Sequence, residues 1–233
     1  MQKTCHTRRC MNQPIPRTGF EREGDGRTLS ASENVAHVLR QRIADGVFEV
    51  GTQLPAEHQL MESFGVSRPT CREALRILQS EGLVVVQRGN RGGARVLPPD
   101  PMRIASYAGV YLQMRGASIS EVFDVRIAIE PEAVALIARR PDSQVLSLLA
   151  QNVASQRFLV DDRPAFYKCG RDFRQLLLDH CGSETLRLLG LVVGEIADQQ
   201  LSLLSHALPY RADQADDFRR SIVMKQNMIA AME

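Results

Sequence analysis

Apolar residues recur every three or four positions along most of the chain, the spacing that places them on one face of a helix. The first helix has Ser32 as its predicted N-cap and ends at Gly46. Its apolar face consists of Val35, Leu39 and Ile43. A second helix is predicted to begin at Pro55, because proline suits the first helical position, and to end in a tight turn at Gly65.

The next segment predicts a third helix followed by a small hairpin. Ser67 is the expected N-cap and Arg68 the first helical residue, so the positive helix end and its free N–H groups suit a phosphate. The inward face of the helix consists of Cys71, Ala74, Leu75 and Leu78, and a separate stripe consists of Arg68, Arg72 and Arg76. Short strands are predicted at 84–87 and 94–96, around a basic, glycine-rich tip. This is the pattern of a winged helix-turn-helix, which lays a helix in the DNA major groove.

The second half of the chain predicts an all-helical bundle. Its apolar stripes are Val122, Val125, Ile129 and Ala133; Val145, Leu148, Leu149 and Val153; Phe166, Phe173, Leu176 and Leu177; and a long run over 186–204. No alternating strand pattern follows Val96. The predicted fold class is therefore mainly α, with a small β wing. The predicted organisation is a disordered tail (1–29), a winged helix-turn-helix (30–97), a linker (98–101) and a helical effector-binding and dimerisation domain (102–233).

Composition narrows the class of protein further. The 233 residues are 44% hydrophobic and 24% charged, which is typical of a globular protein. The N-terminus lacks the apolar core of a secretory signal, and no apolar run is long enough to cross a membrane, so we expect a cytoplasmic protein with reduced cysteines. Cys5, His6 and Cys10 have no second ligand pair nearby and are more typical of a tail than of a metal site.

The distribution of charge favours DNA more than the total charge does. The net charge is only +2, but every cation between Thr28 and Asp100 is an arginine, the side chain suited to bidentate contacts with phosphate and guanine. The sequence contains no nucleophile–base pair, phosphate loop or paired carboxylates in a recognisable setting. An enzyme fused to a DNA-binding module therefore stays a remote alternative, and the protein is predicted not to be an enzyme.

Residues 30–97 resemble the winged helix of GntR-type bacterial regulators. The matching segments are Pro55-Ala56-Glu57, Gly65-Val66-Ser67-Arg68, Arg72-Glu73-Ala74-Leu75, Leu78 and Glu81-Gly82. The resemblance implies DNA contacts by His58, Ser67, Arg68, Thr70, Arg72, Arg88 and Gly89. His58 departs from the family, which usually has arginine there, so its contact is expected to be weaker or to depend on pH.

Residues 101–233 resemble, more weakly, the ligand-binding (FCD-type) domain of the FadR-like branch of that family. The clearest marks are 121–126, 129–133, Phe166, Phe173 and Gly182. Many members bind a divalent metal through an Asp, a His four residues later and two further His. Here Gly170 matches the Asp, and Arg174 and Lys225 match two of the His, so no metal and no other cofactor is predicted.

The same alignment predicts a different ligand for the bundle. Arg126, Arg174 and Lys225 would converge on the cavity and bind a small carboxylate or phosphate effector. The competing interpretation is that they are surface or ion-paired residues, because Arg126 has Glu130 at i+4 and Arg174 has Asp172 nearby. A further alternative makes His180 and His206 misaligned metal ligands.

These patterns together predict a homodimeric transcriptional regulator, most often a repressor in such families, that binds a double-stranded operator and responds to a small anionic metabolite. The family's last helix would fall beyond Glu233, so the bundle is expected to lack it and to expose an apolar groove. The alternative function is an effector-independent DNA-binding protein with a degenerate sensor domain.

Overall fold

The computed structural model describes residues 29–87, 93–205 and 214–232. The chain divides between Asp100 and Pro101 into two compact units. The first unit contains α1 (Ala31–Ala44), α2 (Glu57–Phe64), α3 (Arg68–Ser80), β1 (Val84–Gln87) and β2 (Gly93–Val96). The second contains α4 (Pro101–Met114), α5 (Ile119–Arg139), α6 (Ser143–Gln156), α7 (Arg163–His180), α8 (Glu184–Ser205) and α9 (Gln214–Ala230). The predicted mainly α fold class, with its small β wing, is confirmed.

Helix α1 begins earlier than predicted. Its N-cap is Ser30, whose hydroxyl accepts from the Glu33 backbone N–H at 3.3 Å, and the Glu33 carboxylate in turn accepts from the Ser30 N–H at 2.7 Å. The prediction of Ser32 as the cap is wrong. This reciprocal capping box needs a Glu or Gln three positions after the cap. Ser30 has Glu33 at that position, whereas Ser32 has Val35.

Helix α2 begins later than predicted. Ala56 occupies the N-cap position, its N–H donating to the Gln59 side chain at 3.0 Å, and Pro55 lies outside the helix. The prediction of Pro55 as the first helical residue is wrong, because the preceding residue Leu54 is held in an extended strand-like contact, its N–H donating to the Ala94 carbonyl at 2.8 Å. The predicted turn is confirmed: Gly65 ends α2 in the left-handed conformation, with φ of +64°.

The wing and helix α3 share one core with α1 and α2. The strands pair antiparallel in the register Val84 with Val96 and Gln87 with Gly93. The predicted inward face of α3 is confirmed, since Cys71, Ala74, Leu75 and Leu78 are all buried. These residues pack with Val35, Leu39, Leu60 and Val96. One face of α3 is thereby fixed against the core, which turns its opposite face outward.

The second unit is a helical bundle in which α8 packs against α4, α5 and α7, while α6 packs against α7 and α9. Pro101, assigned to the linker from the sequence, is the first residue of α4. Two predicted core positions are wrong, because Val125 and Leu148 are exposed. In α6 the buried face instead combines Leu146 with Val145, Leu149 and Val153. Among the described residues, no helix is long and apolar enough to span a membrane.

Candidate functional site

The amino-terminal turn of α3 is fixed by side-chain caps. The Ser67 hydroxyl lies 2.8 Å from the Thr70 hydroxyl and accepts from the Thr70 N–H at 3.4 Å. Pro69, the second helical residue, has no N–H to offer. Of the first three helical residues, only Arg68 keeps a backbone N–H without an intramolecular partner within the described chain. The helix end therefore supplies fewer free donors than the sequence suggested, and its side chains become the main candidates for contacts.

Arginine side chains line the outward face of α3. Arg68 and Arg72 are exposed, and neither side chain has an ion pair or hydrogen bond within the described ranges. Arg76, one turn further on, forms an exposed ion pair with Glu73 at 3.3 Å. Two guanidinium groups without partners in the described part of the chain thus lie at the capped end of the helix. Planar guanidinium groups in such a position suit the paired acceptors of phosphates and guanine.

The remaining residues that the resemblance assigns to DNA fall in two places. His58 is exposed in the first turn of α2, the other helix of the helix-turn-helix. Arg88 and Gly89 lie outside the described residues. The described geometry therefore brings Ser67, Arg68, Thr70 and Arg72 together on one helix.

A second group of charges lies inside the bundle, and we call it the cationic cluster. It consists of Arg126, Glu130, Arg174, Asp198 and Lys225. Arg126 Nε donates to Glu130 Oε1 at 2.9 Å. Arg174 Nη1 donates to Asp198 Oδ2 at 3.1 Å. Arg174 Nε lies 3.1 Å from the same Glu130 oxygen, a purely ionic contact, since this N–H has no aligned acceptor within the described chain. Both arginines are consequently ion-paired.

Glycines in α8 allow Arg174 to reach this position. An added Cβ at Gly194 would lie 2.9 Å from Arg174 Nη1, and one at Gly190 would lie 2.5 Å from Leu178 Cδ2. Both distances are shorter than carbon tolerates in packed interiors. A side chain at Gly190 would require Leu178 to shift, and one at Gly194 would require the guanidinium of Arg174 to shift.

Lys225 joins the cluster from α9. Its Nζ donates to Gln156 Oε1 at 2.7 Å and lies 5.5 Å from the ring centroids of both Phe166 and Phe173. Burial lowers the pKa of Lys225 to about 8, and the nearby positive charges of Arg174 and Arg126 contribute to this lowering. Cys169 and Glu130 act in the opposite direction and raise the pKa. Three predicted effector residues are thus brought together by three different helices.

Sequence reasoning missed the polar groups that hold Lys225. Gln156 is fully buried and donates to Asn152 Oδ1 at 2.8 Å, while Asn152 donates to the Cys169 carbonyl at 3.2 Å. The sequence feature that could have revealed these groups is the pair of amide side chains of Asn152 and Gln156, four residues apart on an otherwise apolar face of α6. No comparable sequence feature indicated Asp198, because its partner Arg174 lies 24 residues away in the chain.

The cluster does not fit a divalent metal. Gly170 offers no ligand atom, and arginine and protonated lysine repel cations. Among the described residues, no group of three His, Cys, Asp or Glu side chains is placed to hold an ion. The His180 ring nitrogen Nδ1 lies 2.8 Å from its own helix's Leu176 carbonyl, and His206 lies outside the described residues.

Two open depressions occur elsewhere on the bundle. One, of about 500 Å³, is lined by Pro141, Ser143, Leu146, Ser147 and Ala150. The other, of about 420 Å³, is lined by Arg157, Val160, Arg219, Ile222, Val223 and Gln226. Neither is lined by the cationic cluster. The candidate effector site is the cationic cluster, because a small anion is selected by convergent positive charge rather than by open volume.

A winged helix-turn-helix with exposed arginines on its second helix, joined to an all-helical bundle, defines the class of DNA-binding regulators with a helical sensor domain. The sequence comparisons agree. Residues 31–96 match the bacterial regulatory proteins of the gntR family, and residues 121–233 match the FCD domain. The chain belongs to the GntR family.

Two relatives are proteins named HTH-type transcriptional repressor NanR. The one from Klebsiella aerogenes is 34% identical over 156 residues, which make up 65% of this chain and 59% of that protein. The one from Escherichia coli O127:H6 is 31% identical over 188 residues, covering 79% of this chain and 68% of that protein. The chain thus spans about three fifths of the length of the first relative.

A solved structure supports the fold. The Streptococcus agalactiae GntR protein superimposes with a TM-score of 0.55 at 22% identity, over 86% of this chain and 96% of that one. At this identity the likeness concerns the fold alone.

Proposed function

We propose that this protein is a transcriptional regulator, acting as a repressor, whose winged helix binds a double-stranded operator. The observation that carries the proposal is the exposed pair Arg68 and Arg72, whose side chains have no partner among the described residues, on a helix capped by Ser67. Ser67, Thr70 and His58 would add contacts from the same motif, and Arg88 and Gly89 would add contacts from the wing. The proteins named as repressors among the relatives support the sign of regulation.

Selection of operator DNA from a random duplex library, followed by titration at several salt concentrations, tests this function. We expect one enriched, two-fold symmetric sequence. The logarithm of its affinity should fall linearly with the logarithm of salt, by about 0.9 for each phosphate contacted. Binding without any sequence enrichment would contradict the proposal of a regulator and favour a non-specific DNA-binding protein.

We also propose that the bundle senses a small carboxylate or phosphate at Arg126, Arg174 and Lys225. The support is their convergence from three helices and the lysine ammonium, whose hydrogen-bond partner among the described residues is the neutral amide of Gln156. The alternative is an effector-independent DNA-binding protein, favoured by the ion pairs that already neutralise both arginines. Titrating operator complexes with small anions at constant ionic strength separates the two, since under that condition only a sensor changes its operator affinity.

A homodimer is the proposed assembly, because two symmetric reading heads match a symmetric operator. Its support is an exposed apolar face on α4, where Tyr107, Tyr111 and Met114 are 81%, 64% and 83% exposed at helical spacing. Replacing Tyr107 and Met114 by serine is expected to produce monomers in sedimentation experiments. Phe158→Ser is the matched control, since Phe158 is an isolated apolar residue with 88% exposure. A wild-type monomer at micromolar concentration would contradict the proposed assembly.

A further inference from the structure

Helix α3 carries one acidic side chain, Glu73, among the arginines of its outward face. The residues that α3 buries are Cys71, Ala74, Leu75 and Leu78. Because successive helical residues are rotated by about 100°, the direction opposite to the mean of these four passes between Arg76 and Glu73, about 30° from each. Glu73 therefore points away from the core, and its side chain is 52% exposed.

The same rotation places Glu73 inside the surface that the proposed DNA contacts define. Arg68 and Thr70 lie about 110° and 90° to the two sides of the outward direction, so Glu73 lies between them. Along the helix axis, Glu73 is only about 1.5 Å beyond Arg72. A duplex that contacts both sides of this surface must also approach Glu73.

A carboxylate in this place is repelled by phosphate groups, which carry charge of the same sign. The base edges of the major groove differ in this respect, because the N4 amino group of cytosine donates hydrogen bonds and is a suitable partner for a Glu side chain. The residues that reach base edges lie in the N-terminal part of a recognition helix. Glu73 is the sixth of the 13 residues of α3, so its position suits a contact with a base better than one with the backbone.

Arg76 holds the Glu73 carboxylate and leaves one of its oxygens available. Arg76 Nη1 donates to Glu73 Oε2 at 3.3 Å, whereas Glu73 Oε1 accepts no hydrogen bond from any described residue. The guanidinium partly balances the negative charge, which reduces the repulsion by nearby phosphates. It also restrains the side chain before DNA binds, so less conformational freedom is lost on binding.

We infer that Glu73 recognises a cytosine in each half of the operator. Its Oε1 accepts a hydrogen bond from the cytosine N4 amino group in the major groove, and Arg76 positions the carboxylate for this contact. The inference rests on the proposed operator binding and adds to it a residue that selects a base. The base pair is the one nearest to Arg72 or its neighbour, because the two residues differ along the axis by less than the rise of one base pair.

Selection of operators from a random duplex library by the full-length protein tests the inference. The wild type is compared with Glu73→Ala, Glu73→Gln and Glu49→Ala. Glu49 is the matched control, because it is exposed in the turn after α1, outside α2, α3 and the wing strands. Its replacement changes the net charge of the protein as much as Glu73→Ala does.

The wild type should enrich cytosine at one position of each half-site. Glu73→Ala should reduce the discrimination between cytosine and the other bases at that position about 5- to 150-fold, the usual range for one mismatched pair, and keep the remaining preferences. Glu73→Gln should shift the preference there toward adenine, which a Gln side chain contacts through two hydrogen bonds. Glu49→Ala should keep the wild-type preference at every position.

An Arg76→Ala variant separates a contact by Glu73 from a contact by its partner. An arginine that binds the guanine of the same base pair would also produce a preference for cytosine on the other strand. If Glu73 is the reader, Arg76→Ala should weaken the preference only in part, and Glu73→Ala added to it should remove the rest. A loss in Arg76→Ala as large as in Glu73→Ala would assign the readout to Arg76 and overturn the inference.

Two further results would also overturn it and leave operator binding standing. One is a cytosine preference that survives in Glu73→Ala, and the other is a change confined to A·T positions. If the wild type enriches no sequence, the proposed operator binding fails as well. Circular dichroism verifies that each variant keeps its helix content, which we expect because an exposed ion pair such as that of Glu73 and Arg76 contributes little to stability.

Discussion

Replacing Arg68 and Arg72 together by alanine should reduce operator affinity by at least about 30-fold while leaving the fold intact. Each guanidinium that makes a bidentate contact contributes about 1–3 kcal/mol, and the two side chains have no intramolecular partner within the described chain whose removal would disturb the helix. Fluorescence anisotropy with the selected operator measures the affinity, and circular dichroism verifies the helix content.

The same titrations distinguish phosphate contacts from base contacts. If either arginine binds phosphate, the salt slope of the variant should fall by about 0.9 for each phosphate that the variant no longer binds. If both arginines bind bases, the slope stays the same and sequence preference weakens. Arg76→Ala is the matched control on the same helix, because Arg76 is already paired with Glu73 at 3.3 Å and should have the smaller effect. An unchanged affinity in the double variant would disprove the role of this face.

Truncating Leu78 to alanine should destabilise the winged-helix unit by about 2–5 kcal/mol, the range for large-to-small substitutions in packed cores. Leu78 has no exposed surface and lies in the shared core of α1, α3 and the wing. The truncation would leave a cavity directly behind the arginine face. Urea denaturation followed by circular dichroism measures the change in unfolding free energy.

Gln79→Ala is the control for this experiment. Gln79 is the next residue of α3 and is exposed, so its truncation should change stability by no more than about 0.5 kcal/mol. Operator binding should be weakened in Leu78→Ala mainly through the population of unfolded protein, and conditions that favour folding should restore it. Equal effects of the two substitutions would contradict the packing described for α3.

Local signals in the sequence predicted the winged helix well. The cap at Ser67, the turn at Gly65 and the buried face of α3 each depend on residues close together in the chain, so spacing alone identifies them. The two wrong helix starts have the same origin. Ser32 and Pro55 suit their predicted roles individually, but the capping partner Glu33 and the strand contact of Leu54 decide the actual boundaries.

The cationic cluster shows the limit of this reasoning. The resemblance to the family's ligand-binding domain implied that Arg126, Arg174 and Lys225 approach each other, and the i+4 spacing showed Glu130 beside Arg126. Asp198 and Gln156 lie far from their partners in sequence, so only tertiary packing shows that they hold Arg174 and Lys225.

The contact between α7 and α8 restricts how these two helices can move past each other. Leu178 lies against Gly190 and Arg174 against Gly194, two matched pairs one helical turn apart on antiparallel helices. Sliding α7 by one turn, about 5.4 Å, in either direction would leave only one of the two side chains opposite a glycine. The packing therefore opposes a slide of α7 along its own axis by one full turn. A rearrangement that keeps both contacts would move these two helices together as one unit.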